Sequence, residues 1–264
     1  MKHLKLFIFG AFALLSTVTL RTIQLVFLTD YKTGFYKEGM EGLGAGLMAL
    51  LIAIIAVAGA LIFVFDAQKL SPKPSSTLLG SAMLFAGLAN IAEPFLSGTS
   101  LSALPVMFLG VRILLILAAG GCLCYLGVSM LLGKEIKAKL TVVLIVSWVV
   151  RLMTSFICFS KMSNISENLY DVLMLVFTLV FLLLLGKAVC GVRESKTHKT
   201  LFAVGIGAVL FSAVSAFPYI IASFTSKTLI AHTPLDSHVT SIFMAFFIAV
   251  YLVEICRTEA KNEG

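Results

Sequence analysis

Residues Leu144 to Phe159 read LIVSWVVRLMTSFICF, an apolar run broken by one arginine, Arg151. With the apolar residues before it, the run can cross a hydrocarbon layer roughly 30 Å thick, which takes about 20 helical residues. A guanidinium at the centre of a bilayer costs roughly 2.5–3.5 kcal/mol on insertion scales. The stretch therefore predicts a membrane-spanning helix whose arginine faces protein rather than lipid. Leu14 to Phe27, LLSTVTLRTIQLVF, has the same form around Arg21.

Working outward, eight such spans can be drawn, at about 5–28, 43–65, 77–96, 105–131, 140–160, 169–190, 200–224 and 237–256. Lipid offers no partners to backbone N–H and C=O groups, so each span must be helical, and none shows the alternation of a β-barrel strand. Hydrophobic residues make up 59% of the chain and charged residues 12%, about half the charge of a soluble domain. No loop is long enough to form an aqueous domain. The expected fold is an all-α polytopic transmembrane bundle, one membrane domain over 1–264.

Leu14–Phe27 and Leu144–Phe159 would each open a four-helix half, 1–133 and 134–264. The third span of each half carries a Leu-Phe pair, Leu84-Phe85 and Leu210-Phe211, and ends near Pro94 and Pro218. An even number of spans per half would make these parallel repeats.

The net charge of +7 invites a nucleic-acid reading, but the position of the charge rejects it. Lys2, Lys5, Lys69, Lys73, Lys134, Lys137, Lys139, Arg193, Lys196, Lys199, Arg257 and Lys261 fall on one side of the eight-span topology. Only Lys32, Lys37, Lys161 and Lys227 fall on the other. That bias places both termini in the cytoplasm of a cell with a multi-pass inner (plasma) membrane protein. The start, Met1-Lys2-His3-Leu4-Lys5 before an apolar run, resembles a signal peptide. It lacks a small-x-small site and continues through Arg21, so it is read as a retained span.

Cys122, Cys124, Cys158, Cys190 and Cys256 lie in or at the ends of apolar segments, without a C-x-x-C pair, and read as core residues. Gly42 to Gly46 forms a G-x-x-x-G. With Gly80, Gly87, Gly205 and Gly207 it marks faces where helices should touch. Tyr31 to Tyr36, YKTGFY, reads as an aromatic interfacial anchor with a turn at Thr33-Gly34.

The chemistry, if any, rests on Arg21, Arg112 and Arg151, all in the outer half of their spans. Gln24 shares the face of Arg21, and Ser147, Thr154 and Ser155 share that of Arg151. Gly87, Asn90 and Glu93 recur at i, i+3 and i+6 on span 3. A short uncharged loop joins spans 3 and 4, so the expected ion pair is Glu93–Arg112. Asp171, in the first turn of span 6, is expected to reach towards Arg151, although a helix N-terminus alone accounts for an acid there. Snorkelling is the competing account of Arg21 and Arg112.

These residues frame the expected function: a transporter or permease for a small anionic or amphipathic solute. Arg21, Arg112, Arg151, Glu93, Asn90 and Asp171 would line its outward-facing cavity. Arginine forks suit carboxylate or phosphate, and Glu93 is also placed for proton coupling. The alternative is a non-transporting sensor, receptor or assembly scaffold, suggested by the scarcity of polar residues in the inner half. A lipid-acting enzyme ranks third, for want of a nucleophile or base beyond Glu93.

No cofactor or metal is called for. No histidine is assigned to a span, which argues against a haem held by two transmembrane imidazoles. His232, Asp236 and His238 are assigned to the last outer loop, in a pattern that is no known ligand signature. Neither H-E-x-x-H nor a P-loop occurs. The expected surroundings are the lipid bilayer and a small anion, with no nucleic acid.

Overall fold

The computed structural model describes residues 2–30, 35–64, 76–96, 106–134, 138–160, 165–190, 197–224 and 235–262. Helix α1, Lys2–Ile23, runs into a π-helical turn, Gln24–Leu28. It is followed by α2 (Glu41–Val64), α3 (Thr77–Leu96), α4 (Val106–Leu131) and α5 (Ala138–Ser160). Helices α6 (Ile165–Val189), α7 (Thr197–Phe224) and α8 (Leu235–Asn262) complete the order. All eight contain a stretch long and apolar enough to cross a membrane. Every expected span corresponds to one of them. The largest difference is at α8, whose last polar turns run on beyond the apolar stretch that ends at Arg257.

The helices alternate in direction. Gly80, near the start of α3, lies against Gly127, near the end of α4, and Gly87 lies against Gly120. Gln24 at the end of α1 reaches Gly44 at the start of α2. Glu93 reaches Arg151 near the ends of α3 and α5, and Ser215 on α7 reaches Asp171 on α6 and His238 on α8. One end of the bundle therefore gathers the C-terminal ends of α1, α3, α5 and α7 with the N-terminal ends of the others. It is the end with few lysines in its loops, called here the lysine-poor end.

Helices α3 to α8 form a ring: each packs on the next, and α8 packs back on α3. Helices α1 and α2 pack on each other and against α7, outside it. The two halves of the chain thus make different contacts, because α6 packs on the helix that follows it, whereas α2 finds its neighbour in α7.

Close approach is clearest between α3 and α4. A Cβ added at Gly127 would lie 2.7 Å from the Gly80 carbonyl oxygen, and one at Gly87 would lie 2.8 Å from that of Gly120. Paired glycines seven residues apart on both helices remove the side chains that would hold the backbones apart, which lipid alone would not press together. Gly205 and Gly207 likewise accept Leu252, Phe181 and Phe177. The G-x-x-x-G of α2 behaves otherwise. Gly42 and Gly46 are exposed with open space before them, and the packed glycine is Gly44, covered by the Tyr36 ring. The motif marks a smooth face without saying whether anything in the same chain occupies it.

The ring interior is divided. Towards the lysine-rich end it is aromatic, with Phe181 of α6 meeting Phe247 and Tyr251 of α8 edge-on at 6.5 and 5.8 Å between centroids. Towards the lysine-poor end, the buried side chains include Asn90, Glu93, Arg151, Asp171, Ser215 and His238.

Candidate functional site

Three buried polar groupings occupy the lysine-poor half. The first is built on α1. The Arg21 guanidinium donates to Gln24 Oε1 at 2.6 Å and lies over the Tyr170 ring of α6, 4.4 Å from its centroid. Gln24 Nε2 donates to the Tyr36 hydroxyl at 2.6 Å and to the Gly44 carbonyl at 2.9 Å, and its Oε1 also accepts from the Tyr170 hydroxyl at 3.4 Å. An amide side chain has two donor hydrogens and two acceptor sites, so Gln24 is saturated.

The π-helical turn presents Gln24 in this position, and the following segment folds back. Thr29 pairs with Tyr36, and the Asp30 and Lys37 amides donate to Phe35 and Leu28 carbonyls at 2.8 Å each. Tyr36 thereby bonds Gln24 and sets its half-buried ring against Gly44 of α2; Tyr31 to Gly34 lie outside the described residues.

The second grouping crosses the ring. Arg151 Nη2 donates to Glu93 Oε1 at 2.8 Å, and both side chains are 4% exposed. Helix α4 stands between α3 and α5 in the ring, so a buried pair joining them spans the interior. The sequence expects Arg112 to pair with Glu93; Glu93 Oε1 also draws in Arg151, one helix further along the ring, which the sequence did not point to. A short loop makes α3 and α4 neighbours, but it does not set how far a long side chain reaches. Arg112 is half-buried on α4, between the two helices that carry the pair.

Beside the pair lie polar atoms with nothing to bond. Arg151 Nη1, Asn90 Oδ1 and Trp148 Nε1 are buried without hydrogen-bond partners among the described residues. Asn90 uses its amide nitrogen on the Ala86 carbonyl at 2.8 Å, which leaves its oxygen over. Trp148, the single tryptophan of the chain, sits one turn before Arg151, and the guanidinium lies 5.4 Å from its ring centroid. A buried polar atom left unmatched costs roughly 1–3 kcal/mol. Two donors and an acceptor left over around one ion pair are a place for a polar ligand or ordered water.

The third grouping was missed in the sequence. Asp171 accepts the Ser215 hydroxyl of α7, not a hydrogen bond from Arg151. Ser215 Oγ also lies 3.5 Å from His238 Nδ1, and His238 stacks on Tyr219 with centroids 4.7 Å apart and planes 15° from parallel. His238 is 1% exposed and belongs to α8, so the assignment of every histidine to loops is corrected. It fails because His238, although within the expected span 237–256, was read with the polar residues of the loop before it. His238 is turned inward, and no metal-holding group of histidine, cysteine or carboxylate occurs among the described residues. His232 and the side chain of Asp236 lie outside them.

Of the six residues expected at one cavity, the structure thus joins Glu93 and Arg151, with Asn90 one turn before Glu93 on α3 and Arg112 on the helix between them. It gives Arg21 and Asp171 to separate groupings. Trp148, Tyr170 and Ser215 were not singled out, and His238 only as a loop residue; the signal available was helical spacing, Trp148 to Arg151 at i, i+3. No protein-family model, curated protein or solved structure matches this chain.

Proposed function

We propose that this multi-pass protein is a permease for a small carboxylate or phosphate, which binds at Arg151 within the six-helix ring. One observation carries the reading: a buried guanidinium uses one Nη on Glu93 and keeps the other without a partner. A bidentate anion needs two parallel N–H donors, which Arg151 supplies once Glu93 lets go. Trp148 Nε1 adds a donor, and Asn90 Oδ1 would accept from a hydroxyl or amine on the same solute. Arg112, half-buried on the intervening helix α4, would add positive charge for a solute with a second negative charge. The Glu93–Arg151 bond closes the interior while the site is empty, and the solute replaces Glu93 as the site loads. The loop charge bias supports an inner (plasma) membrane setting with both termini cytoplasmic. The aromatic packing of Phe181, Phe247 and Tyr251 would then close the cytoplasmic half.

Thermal unfolding of the purified protein against a panel of carboxylates, phosphates and chloride tests this. At least one carboxylate or phosphate should raise the melting temperature beyond chloride, and Arg151→Lys should remove that rise while the protein stays folded. Equal response to every anion, or a rise that survives in Arg151→Lys, rejects the reading.

The second reading is a membrane sensor or scaffold that binds an anion without moving it. The continuous aromatic packing at the lysine-rich end favours it. Cysteines placed at Ser147 and Asn90 and labelled from each side of sealed vesicles separate the two. Exposure from both sides supports a permease, and exposure from one side supports the sensor.

A further inference from the structure

We propose that Asp171, Ser215 and His238 form a proton-binding site in which the serine hydroxyl passes a proton between the imidazole and the carboxylate. The argument begins with hydrogens. A serine hydroxyl has one hydrogen and two acceptor lone pairs. Ser215 gives its hydrogen to Asp171 Oδ1, so its contact with His238 is made as an acceptor, and Nδ1 is the nitrogen that carries hydrogen. Asp171, 7% exposed, has no ion-pair partner among the described residues. A buried carboxylate held only by a hydroxyl is a strong incentive for a positive charge to arrive nearby.

His238 can supply that charge. Protonation at Nε2 makes an imidazolium, and the face of Tyr219 stacked on it favours a cation. In the transfer the His238 Nδ1–H bond breaks as a new Ser215 O–H bond forms. The original Ser215 hydrogen moves to Asp171, where the carboxylate becomes a carboxylic acid. No charge or atom is left over, and rotation of the two hydroxyls resets the path.

The other charged or titratable groups near this end include Tyr170 on α6, Arg21 on α1, Tyr219 on α7, Glu93 on α3, Arg112 on α4, Arg151 on α5, the exposed Glu41 on α2, and Asp30, Tyr36, Lys37 and Glu38 before α2. Arg21 and Tyr170 are engaged with Gln24, and Arg151 with Glu93. Among the described residues, neither Asp171 nor Ser215 bonds to any of them. The carboxylate and hydroxyl of this site are thus distinct from the groups of the anion site.

The test uses the full chain in lipid nanodiscs, with nitrogen NMR of the imidazoles and infrared spectra of the carboxyl groups across pH 5–9. His238 should titrate with a carboxylic-acid band that Asp171→Asn removes. The same substitution should change how the His238 nitrogen signals respond to pH, because the proton then has no carboxylate to move to. Ser215→Thr should keep the coupling and Ser215→Ala should weaken it. A His238 that never titrates in the wild-type protein overturns the proposal. So does a pH response of its nitrogen signals unchanged in Asp171→Asn. Anion-dependent melting is read separately, so failure at one site is distinguishable from failure at the other.

Discussion

Arg21 and Arg151 look alike in the sequence, each a lone charge within an apolar span, but the structure treats them differently. Arg21 meets Gln24, an amide whose every hydrogen-bonding position is filled, and a tyrosine face. Arg151 meets one carboxylate oxygen and keeps a buried Nη without a partner, beside Asn90 and Trp148 atoms in the same condition. A guanidinium whose neighbours are saturated ties helices together. One surrounded by unmatched atoms is held ready for something else. Burial and charge alone do not distinguish the two; satisfaction of the neighbouring groups does.

The comparison can be broken by mutation. The largest effect belongs to removing one half of the buried pair: Glu93→Ala should destabilise by about 3–5 kcal/mol, because Arg151 is left buried and uncompensated. Glu93→Leu with Arg151→Met should return most of that loss, since well-packed apolar side chains often replace a buried pair at no net cost. Reversible unfolding in mixed detergent measures both. A double variant as unstable as the single one would make the pair an architectural clamp and remove the contrast with Arg21.

Next comes Gln24→Leu, which strands Arg21, the Tyr36 hydroxyl and the Gly44 carbonyl together; a loss of about 3 kcal/mol is expected from such unmatched groups. The same assay reads it, and an unchanged protein would show that the hub is not a tie. Gly120→Ala follows, at about 1–3 kcal/mol, because its added methyl lies 2.9 Å from the Gly87 carbonyl oxygen and must push α3 and α4 apart. Gly42→Ala, facing open space, should cost less than about 0.5 kcal/mol.

A comparably small effect is the sharpest test. Trp148→Phe deletes an atom that has no partner, and Asn90→Leu deletes one along with a hydrogen bond to the Ala86 carbonyl, which keeps its helical partner; each should change stability by less than about 1 kcal/mol, with either sign. They should nevertheless weaken any carboxylate-dependent rise in melting temperature. Losses near those of Gln24→Leu would mean these atoms are satisfied, and that Arg151 is held as Arg21 is.

How much of this was legible beforehand differs by level. The eight helices, Arg21 beside Gln24, and the packing at Gly80, Gly87, Gly205 and Gly207 could all be read from the chain. Each follows from spacing within a helix or from side-chain size. The Glu93–Arg151 pair could not, because loop length points only to α4 while an arginine on α5 can reach across the ring. The Asp171–Ser215–His238 grouping was invisible because its members lie on three helices, and serine on an apolar helix carries no signal of its own. Gly42 and Gly46 misled for the converse reason, since a small-residue motif is the same whether its face is filled or open.

By itself the amino-acid order determined a helical membrane protein with alternating spans and an uneven distribution of lysine, because a bilayer sets the helix length and leaves backbone groups only each other. Which buried charge meets which acid, and which polar atoms are left over, was decided only by the closing of α3 to α8 into a ring. That choice depends on how helices turn and how far side chains extend across the interior, and neither quantity is local to any one segment.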